Sequence, residues 1–247
     1  MVLGVPLSEL LLLAALIIVA GFVTGILAGL FGIGGGALIV PTNVFSYFTH
    51  RGKGAVMMDV VRAWAVPAVI GVAAGSAIAA FAPGAVLKLA FVLIATVIAF
   101  KLLFGRETWR LADDLPGPAG MAAYGVFVGL AASLMGISGG SVSNMILTLY
   151  GKPIHKAVAT SAGLGVPITV AGTIGYILAG LPQQSLLPPL SLGFVSLIGF
   201  ALMAPVSSFT APYGARLAHA LSKRRLEIAF GCFLLAVCIR FTASLIG

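Results

Sequence analysis

Long apolar runs separated by short polar stretches dominate the pattern along this chain. No Asp, Glu, Lys or Arg occurs within residues 10–50, 115–151 or 157–215. A membrane-spanning helix needs about 20 consecutive apolar residues, so each of these intervals can hold one or more spans. The pattern predicts an all-α, polytopic membrane protein with seven to nine apolar helices.

The ends of the apolar runs predict an order of helices that occurs twice. Each half is expected to contain a long helix, a helix too short to cross a bilayer alone, and two more long helices. The predicted ranges are 7–31, 37–48, 55–81 and 84–104 in the first half, and 119–135, 142–150, 157–180 and 189–209 in the second. We therefore predict one transmembrane domain over 1–247, with internal repeats at approximately 7–104 and 118–209 and an extra C-terminal helix over 226–246.

Two glycine-rich stretches interrupt this pattern after the first helix of each half. Residues 32–36 contain four glycines in five positions, and three of these glycines recur 104 positions later. Glycine is unfavourable in a helix interior by about 1 kcal/mol, but it allows tight turns and the close approach of a ligand. We therefore predict that both helices break here, and such a break must be buried in protein or line a polar cavity.

The duplicated break indicates a transporter whose binding site is built from internal repeats. Scattered glycine pairs have a different explanation, because single small residues one turn apart allow helices to pack closely. We assign the pairs Gly21/Gly25 and Gly125/Gly129 to packing in this way. Consecutive glycines exceed what packing needs, so the two breaks are assigned to function.

Composition excludes a soluble domain and argues against nucleic-acid binding. Hydrophobic residues make up 60% of the chain and charged residues only 8%, against about 25% charged in soluble domains. The longest polar connections, 105–117 and 211–225, are too short to bury a core. The net charge of +8 arises mainly from Lys and Arg in short loops between apolar runs, where these residues determine topology.

The cationic loops lie near residues 51, 106, 152 and 223, whereas the loops near 83 and 184 carry no charge. The positive-inside rule predicts that the first four loops face the cytoplasm. Two arrangements stay open. Each glycine-broken segment can enter and return as a hairpin, or each can cross once and make the repeats inverted.

Three stretches of the chain resemble a known family. The chain resembles the TauE/SafE sulfite exporter family, also called the toluene sulfonate uptake permeases, in three places. These are residues 29–41, the corresponding residues 129–144, and the segment Lys156-Ala157-Val158-Ala159-Thr160-Ser161. This resemblance implies a multi-pass transporter of the bacterial cytoplasmic (inner) membrane that moves sulfite, sulfoacetate or related organosulfur anions. The second copy departs from the pattern, because Ser138 stands where the first copy has a glycine.

The residues around both breaks carry chemistry that suits such a substrate. A helix that restarts after a break directs unpaired N–H groups and the positive end of its dipole towards the break, which favours an anion. Hydroxyl and amide groups nearby can donate to the anion's oxygens, although some Ser and Thr side chains are expected to bond only their own backbone. The predicted substrate-binding residues at the breaks are Gly34, Gly35, Gly36, Thr42, Asn43, Ser138, Gly139, Gly140, Ser141 and Asn144.

Four further residues complete the predicted substrate site. Asp59 and Arg62 lie three residues apart on one helix face and can pair inside a span, or Arg62 can instead reach the membrane surface. Thr160 and Ser161 follow the cationic loop of the second half, in the position that corresponds to the start of this helix in the first half. His50 and His155 are predicted in loops, where they could accept a proton.

The sequence therefore predicts a secondary transporter of small sulfur oxyanions or organosulfur anions, in the exporting direction and working by alternating access. An anion channel, or a transporter of another small anion, stays open as the alternative. An enzyme is not expected, because residues 32–36 lack the preceding strand and the acidic residue of a dinucleotide-binding loop. The expected partners are the anion, the lipid bilayer and a coupling proton or cation, without a cofactor, metal ion or nucleic acid.

Overall fold

A computed structural model describes residues 7–32, 40–105, 110–112 and 114–246. The helices in this part of the chain are α1 (Leu7–Phe31), α2 (Val40–Gly52), α3 (Met58–Phe81), α4 (Gly84–Phe104), α5 (Pro118–Met135), α6 (Gly140–Leu149), α7 (Ile154–Gly180), α8 (Leu197–Ala220) and α9 (Lys223–Ile246). Between α7 and α8 lie a 3-10 turn (Leu181–Leu186) and an antiparallel hairpin of β1 (Ser191–Leu192) and β2 (Val195–Ser196). Seven of the described helices, all except α2 and α6, are long and apolar enough to cross a bilayer. The chain is therefore an all-α, multi-pass membrane protein, as predicted.

The predicted helix over 189–209 is wrong at both ends. Leu190 and Gly193 have positive φ angles of 61° and 53°, which a right-handed helix does not accommodate, so α8 begins only after the hairpin. At its other end α8 continues to Ala220, because its small residues pack closely against α1. Most of the polar connection predicted over 211–225 is therefore helical.

Two helix pairs, α1 with α8 and α3 with α5, run in the same direction in close contact. A Cβ atom on Gly25 of α1 would collide with the backbone of Ser207 in α8. In the other pair, a Cβ atom on Gly129 of α5 would collide with the Ala68 carbonyl of α3. The prediction that the glycine pairs one turn apart serve close helix packing is confirmed.

The described parts of the four cationic loops gather at one end of the bundle, which we call the cationic end. There His50, near the end of α2, lies 2.9 Å from His219, near the end of α8. His155, at the start of α7, donates to the Leu221 carbonyl that follows α8. Arg224, at the start of α9, donates to two carbonyls in the last turn of α4.

The two breaks lie differently with respect to this end. Tyr124, early in α5, lies 2.9 Å from the hydroxyl of Tyr150, which directly follows α6, so α5 and α6 form a hairpin that leaves and returns to the cationic end. In contrast, α1 and α2 both run towards the cationic end, since His50 near the end of α2 bonds the Gly29 carbonyl near the end of α1 and contacts His219 at that end. The second break therefore has the predicted hairpin arrangement, whereas the first does not. Neither of the two predicted arrangements applies to both breaks.

The halves of the chain agree at one backbone position and differ in their helix contacts. Gly32 and Gly136, equivalent in the predicted repeat, directly follow α1 and α5 with φ angles of 66° and 67°. However, α1 packs mainly on α8, whereas α5 packs mainly on α3. Internal repetition therefore stays a prediction from the sequence.

Candidate functional site

The second glycine break is built by Gly136 and Gly139, whose backbones both lie in the left-handed region. Gly136 ends α5, and the Ile137 N–H donates to the Ala132 carbonyl at 3.0 Å to close the helix end. Gly139, with φ of 74°, precedes α6 and has no side chain to cap it. The N–H groups in the first turn of α6 have no hydrogen-bond partner within the helix. They therefore present the positive end of the helix dipole to the break.

Helix α7 is the element on which the two breaks meet. Its residues 157–165 are all buried, and Gly165 lies near the middle of the helix. A Cβ atom on Gly165 would lie 3.2 Å from the Asn43 side chain and 3.4 Å from Cβ of Ser138, so α2 and the second break approach each other across this glycine. Because α7 is long enough to span a bilayer, this meeting point lies at mid-depth, where transporters commonly bind their substrates.

The end of α1 joins the same region. Nδ2 of Asn144 donates to the Phe31 carbonyl at 2.9 Å, which connects α6 to the last turn of α1. Gly32 follows, and it lies so close to α7 that a Cβ atom there would overlap Oγ of Ser161. We call the buried side chains around these contacts the polar cluster, and its members are Asn43, Ser138, Ser141, Asn144, Ser161 and Thr169.

Three polar atoms of the second break are buried without a hydrogen-bond partner among the described residues. They are Oγ of Ser138, Oγ of Ser141 and Oδ1 of Asn144. Each such atom costs about 1–3 kcal/mol of folding free energy, which is why buried polar atoms are normally paired. Three of them at the start of one short helix indicate a place where a ligand or water supplies the missing partners.

Other predicted site residues already bond protein groups. Oγ of Ser161 donates to the Val158 carbonyl at 2.8 Å, and Oγ1 of Thr160 accepts the Met57 N–H at 3.0 Å. The hydroxyl of Thr42 lies 2.6 Å from that of an α8 serine. The expectation that some hydroxyls bond their own backbone is confirmed for Ser161, and Thr160 serves to hold the start of α3.

Helix α2 buries its polar face and exposes its apolar one. Phe45 and Phe48 are 52% and 60% exposed, where lipid can solvate their rings. The buried face, which we call the α2 polar stripe, consists of Thr42, Asn43, Ser46 and His50. The stripe extends for about 12 Å along the helix, from the mid-depth cluster to the cationic end.

Two members of this region were missed from the sequence. Ser46 is buried with no partner for its hydroxyl among the described residues, and it follows Asn43 by one helical turn. Helical spacing alone could have found it. Thr169 accepts from Nδ2 of Asn43 at 3.3 Å, but no sequence signal indicates that α2 packs on α7.

Asp59 and Arg62 lie apart from the polar cluster. Both side chains are exposed, in the first two turns of α3, because this helix begins at Met58 rather than near residue 55. The cradle predicted at Gly34, Gly35 and Gly36 lies outside the described residues and stays a prediction.

The prediction that the two histidines lie in loops is wrong. Helix α2 continues to Gly52 and buries His50 completely, because this side chain bonds the α1 backbone. His155 lies in the first turn of α7. Both imidazoles therefore belong to the packed bundle.

A cavity of about 430 Å³ opens at the cationic end between α4, α6 and α9. The wall of the cavity includes Thr148, which lies one turn from Asn144. Basic side chains outnumber acidic ones there, so the cavity attracts anions from solution. The charged residues of the wall are Lys101, Arg110, Lys152, Lys223, Arg224 and Glu227.

Comparisons with known proteins agree with this arrangement. The family model described as "Sulfite exporter TauE/SafE" matches residues 38–241. A "Probable membrane transporter protein" from Haemophilus influenzae is 26% identical over 91% of this chain and 96% of its own length. A protein of the same description from Methanocaldococcus jannaschii is 28% identical over 92% of this chain and 94% of its own length. No solved structure matches the chain.

Proposed function

Because this chain belongs to the TauE/SafE sulfite exporter family, we propose that it is a secondary transporter of sulfite, sulfoacetate or related small organosulfur anions. Its relatives are named as membrane transporters, which agrees with the seven helices in the described part of the chain that are long and apolar enough to cross a membrane. The substrate class, an exporting direction and alternating access are our proposal. The observation that carries the substrate class is the pair of hydroxyls on Ser138 and Ser141, at the N-terminus of α6, which have no hydrogen-bond partner in the described part of the chain.

These groups suit a compact oxyanion. Two hydroxyls and the first N–H groups of α6 are all donors, and a sulfite or sulfonate group offers three oxygens that accept. No formal charge occurs in residues 115–151 or 157–215, so the anion is held by neutral dipoles at a helix N-terminus. A site of this kind binds an anion without a permanent buried charge, which would be costly at membrane depth.

The third atom of the second break without a partner among the described residues, Oδ1 of Asn144, only accepts. Its orientation is fixed because the Asn144 amide nitrogen must face the Phe31 carbonyl. The ligand or a bound water must therefore bring a donor to this oxygen. A hydrogensulfite O–H or the ammonium group of an aminosulfonate would meet this need, which favours such substrates over a fully ionised sulfate.

The burial of these groups supports alternating access. The side chains of Ser138, Ser141 and Asn144 are all 0% exposed, so the structure represents a closed state in our proposal. The substrate can reach them only if α6 and its surroundings move relative to α1 or α2. A hairpin that starts and ends at the cationic end, such as α5 and α6, could make this movement from one side.

Transport into proteoliposomes tests the proposal. The purified protein should exchange labelled sulfite, sulfoacetate or taurine in a saturable counterflow, and acetate should compete poorly. The absence of counterflow for every one of these anions, with protein that is monodisperse before reconstitution, would contradict the proposed substrate class. Ion currents that do not saturate would favour the alternative of an anion channel.

A further inference from the structure

All three histidines of the chain converge at the cationic end, although they belong to three different helices. Nδ1 of His50 lies 2.9 Å from Nε2 of His219, and the ring of His219 stacks on that of His155 with 6.2 Å between centroids. His50 is buried, whereas the other two side chains are partly accessible. We call these three residues the histidine cluster.

The hydrogen-bond partners fix where the protons of the cluster lie. A backbone carbonyl only accepts, so the 3.1 Å contact between Nε2 of His50 and the Gly29 carbonyl requires a proton on Nε2. Neutral His50 then has no proton on Nδ1, and this nitrogen must accept from Nε2 of His219. Neutral His219 therefore keeps Nδ1 as the nitrogen that can take up a proton.

We propose that His50 and His219 bind and relay the coupling proton of transport, an assignment that rests on the proposed function. A proton from the solution at the cationic end first binds Nδ1 of His219. The proton on Nε2 of His219 then crosses the hydrogen bond to Nδ1 of His50, so that His219 becomes neutral and His50 becomes the imidazolium. The pair holds one added proton, because a second would place two N–H groups face to face.

The groups around the pair do not favour this proton unless a negative charge is added. Burial, the largest influence, lowers the pKa of His50 to about 4, while the hydrogen bond to the Gly29 carbonyl raises this pKa and the positive charges of His219 and Lys53 lower it. Among the residues that the structure describes, the ionisable groups that act on the pair are all bases: Lys53 after α2, His155 on α7, and the two partners themselves. Helix α1 brings only a carbonyl, since its sole charged residue, Glu9, lies in its first turn.

The other basic residues of these helices turn away from the pair. Arg51 bonds Tyr47, Arg216 lies over the ring of Tyr213, and Lys156 is exposed. The surroundings of the pair are therefore positive or neutral. An anion bound in the polar cluster is the negative charge that makes proton uptake favourable.

The α2 polar stripe connects the two sites. His50, Ser46 and Asn43 follow one another at about one helical turn on the buried face, and the Ser46 hydroxyl lacks a partner among the described residues. The stripe is about 12 Å long, and opposite unit charges at such a separation in a protein raise each other's binding by up to about tenfold. The proton and the anion should therefore bind together.

Protonation would also act on the backbone. An imidazolium at His50 donates a stronger hydrogen bond to the Gly29 carbonyl than neutral imidazole does, and it lies near the C-terminus of α1, where a positive charge is favourable. The proton therefore holds the end of α1 against α2. Loss of the proton weakens this contact three residues before the backbone turns at Gly32.

Metal binding does not explain the cluster. Nε2 of His50 and Nε2 of His155 each point to a backbone carbonyl. Within the described part of the chain, no three His, Cys, Asp or Glu side chains are placed to share a metal ion. A proton is the ligand that fits two imidazoles joined by one hydrogen bond.

Histidine-selective ¹⁵N labelling tests the pair without any transport assay, because every labelled side chain lies in the cluster. NMR titration of the full-length protein should show His50 in the Nε2–H form at neutral pH, and His219→Gln should alter the titration of His50. His155→Gln is the matched control, and it should leave the hydrogen bond between the other two rings intact. Three independent titrations near pH 6.5, unchanged by either substitution, would overturn the assignment.

Transport then tests the coupling separately from the substrate. In proteoliposomes, ethanesulfonate, whose charge is constant between pH 5 and 8, should accumulate in response to an imposed pH gradient. His50→Gln and His219→Gln should keep counterflow but lose at least about tenfold of the gradient-driven uptake. Normal gradient-driven uptake in both variants refutes proton coupling through this pair. Absent counterflow in the parent counts against the proposed function instead, and the NMR result still decides the proton site.

Discussion

The α3/α5 interface and the polar cluster both lie inside the bundle, but they are packed in opposite ways. At the interface, the neighbouring backbone occupies the space beside each glycine, so that Gly129 sits against the Ala68 carbonyl. In the cluster, buried polar atoms such as Oγ of Ser138 lack partners among the described residues. The first region gains stability from complete packing, whereas the second loses stability, and in our proposal its polar atoms bind the substrate. Substitutions in the two regions should therefore affect different measurements.

The largest effect is expected at the interface. Gly129→Ala places a methyl group on the Ala68 backbone and should lower the free energy of unfolding by about 3 kcal/mol, as overpacking of a tight contact does. The control is Gly172→Ala in the interior of α7, where a Cβ atom would meet only Val72, at 3.9 Å. This control should be neutral or stabilising by up to about 1 kcal/mol. Thermal unfolding in detergent measures the stability of both variants. Equal melting temperatures for Gly129→Ala and Gly172→Ala would contradict the claim that close packing at the interface excludes a side chain.

The pH dependence of stability should come from His50, at the cationic end of the α2 polar stripe, rather than from the α3/α5 interface. Burial holds the pKa of His50 at about 4 in the folded protein, against 6.5 for an ordinary histidine. Between these values the unfolded chain binds a proton that the folded one resists, so stability is complete above pH 6.5 and falls as the pH drops.

Lowering the pH from 7.5 to 5 should therefore cost the anion-free protein about 2 kcal/mol through His50. His50→Gln should lose most of this dependence, while Gly129→Ala should keep it despite its lower stability. Melting temperatures across this pH range provide the measurement. A parent protein equally stable at both pH values would show that His50 is not held neutral by burial.

The glycines of the second break should affect binding more than folding. Gly139→Ala imposes positive φ on a residue with a side chain, and its Cβ atom would lie 3.0–3.3 Å from the side chains of Val128, Ile168 and Ala132. We expect sulfonate binding to weaken about tenfold, because a shift of the α6 N-terminus misplaces its donors.

The matched control is Gly136→Ala, which has nearly the same φ but no atom within 4 Å of the added Cβ. It isolates the backbone strain, and it should weaken binding less. Calorimetry with sulfite and sulfoacetate, on monodisperse protein, separates the two variants. If Gly139→Ala binds each anion as the parent does, the start of α6 does not hold the substrate.

The hydroxyls of Ser138 and Ser141, which lack partners in the described part of the chain, should give a smaller but more specific effect. Ser138→Ala and Ser141→Ala should each weaken anion binding about fivefold, since each removes one donor worth about 1 kcal/mol. Their stability should stay equal or rise, because a buried polar atom without a partner is removed. Ser143→Ala is the control, since that hydroxyl already donates to the Gly139 carbonyl at 2.8 Å. A loss of stability in the first two variants without a change in binding would assign these hydroxyls to structure.

Apolar run length and glycine spacing were sufficient to predict most of the fold. They predicted each long helix and both short helices, because a bilayer fixes the minimum length of a span. They failed where backbone conformation is decided locally, as at Leu190, whose positive φ no apolar pattern reveals. They also failed at the end of α8, where packing against α1 makes a polar-looking segment helical.

The sequence predicted only those residues of the candidate site that are close to a glycine break along the chain. Ser138, Ser141 and Asn144 were identified because they follow a glycine break on the same segment. Thr169 and His219 were missed because their roles depend on which helices pack together, and the sequence of one chain does not encode that in any spacing. Asp59 and Arg62 lie apart from the polar cluster for a related reason, since a predicted helix start that is wrong by three residues moves a side chain from the span to its edge.

Arg62 shows this most directly, and its substitution is expected to have the smallest effect. The side chain is exposed in the second turn of α3 and does not face the polar cluster, so it can assist only by attracting anions through solution. Arg62→Ala should lower the rate of transport by no more than about twofold, an effect that added salt removes. Arg62→Lys keeps the charge and should behave as the parent does. A tenfold loss in Arg62→Ala with normal expression, retained at high salt, would instead place the guanidinium on the substrate pathway and shift the site from the neutral cluster towards α3.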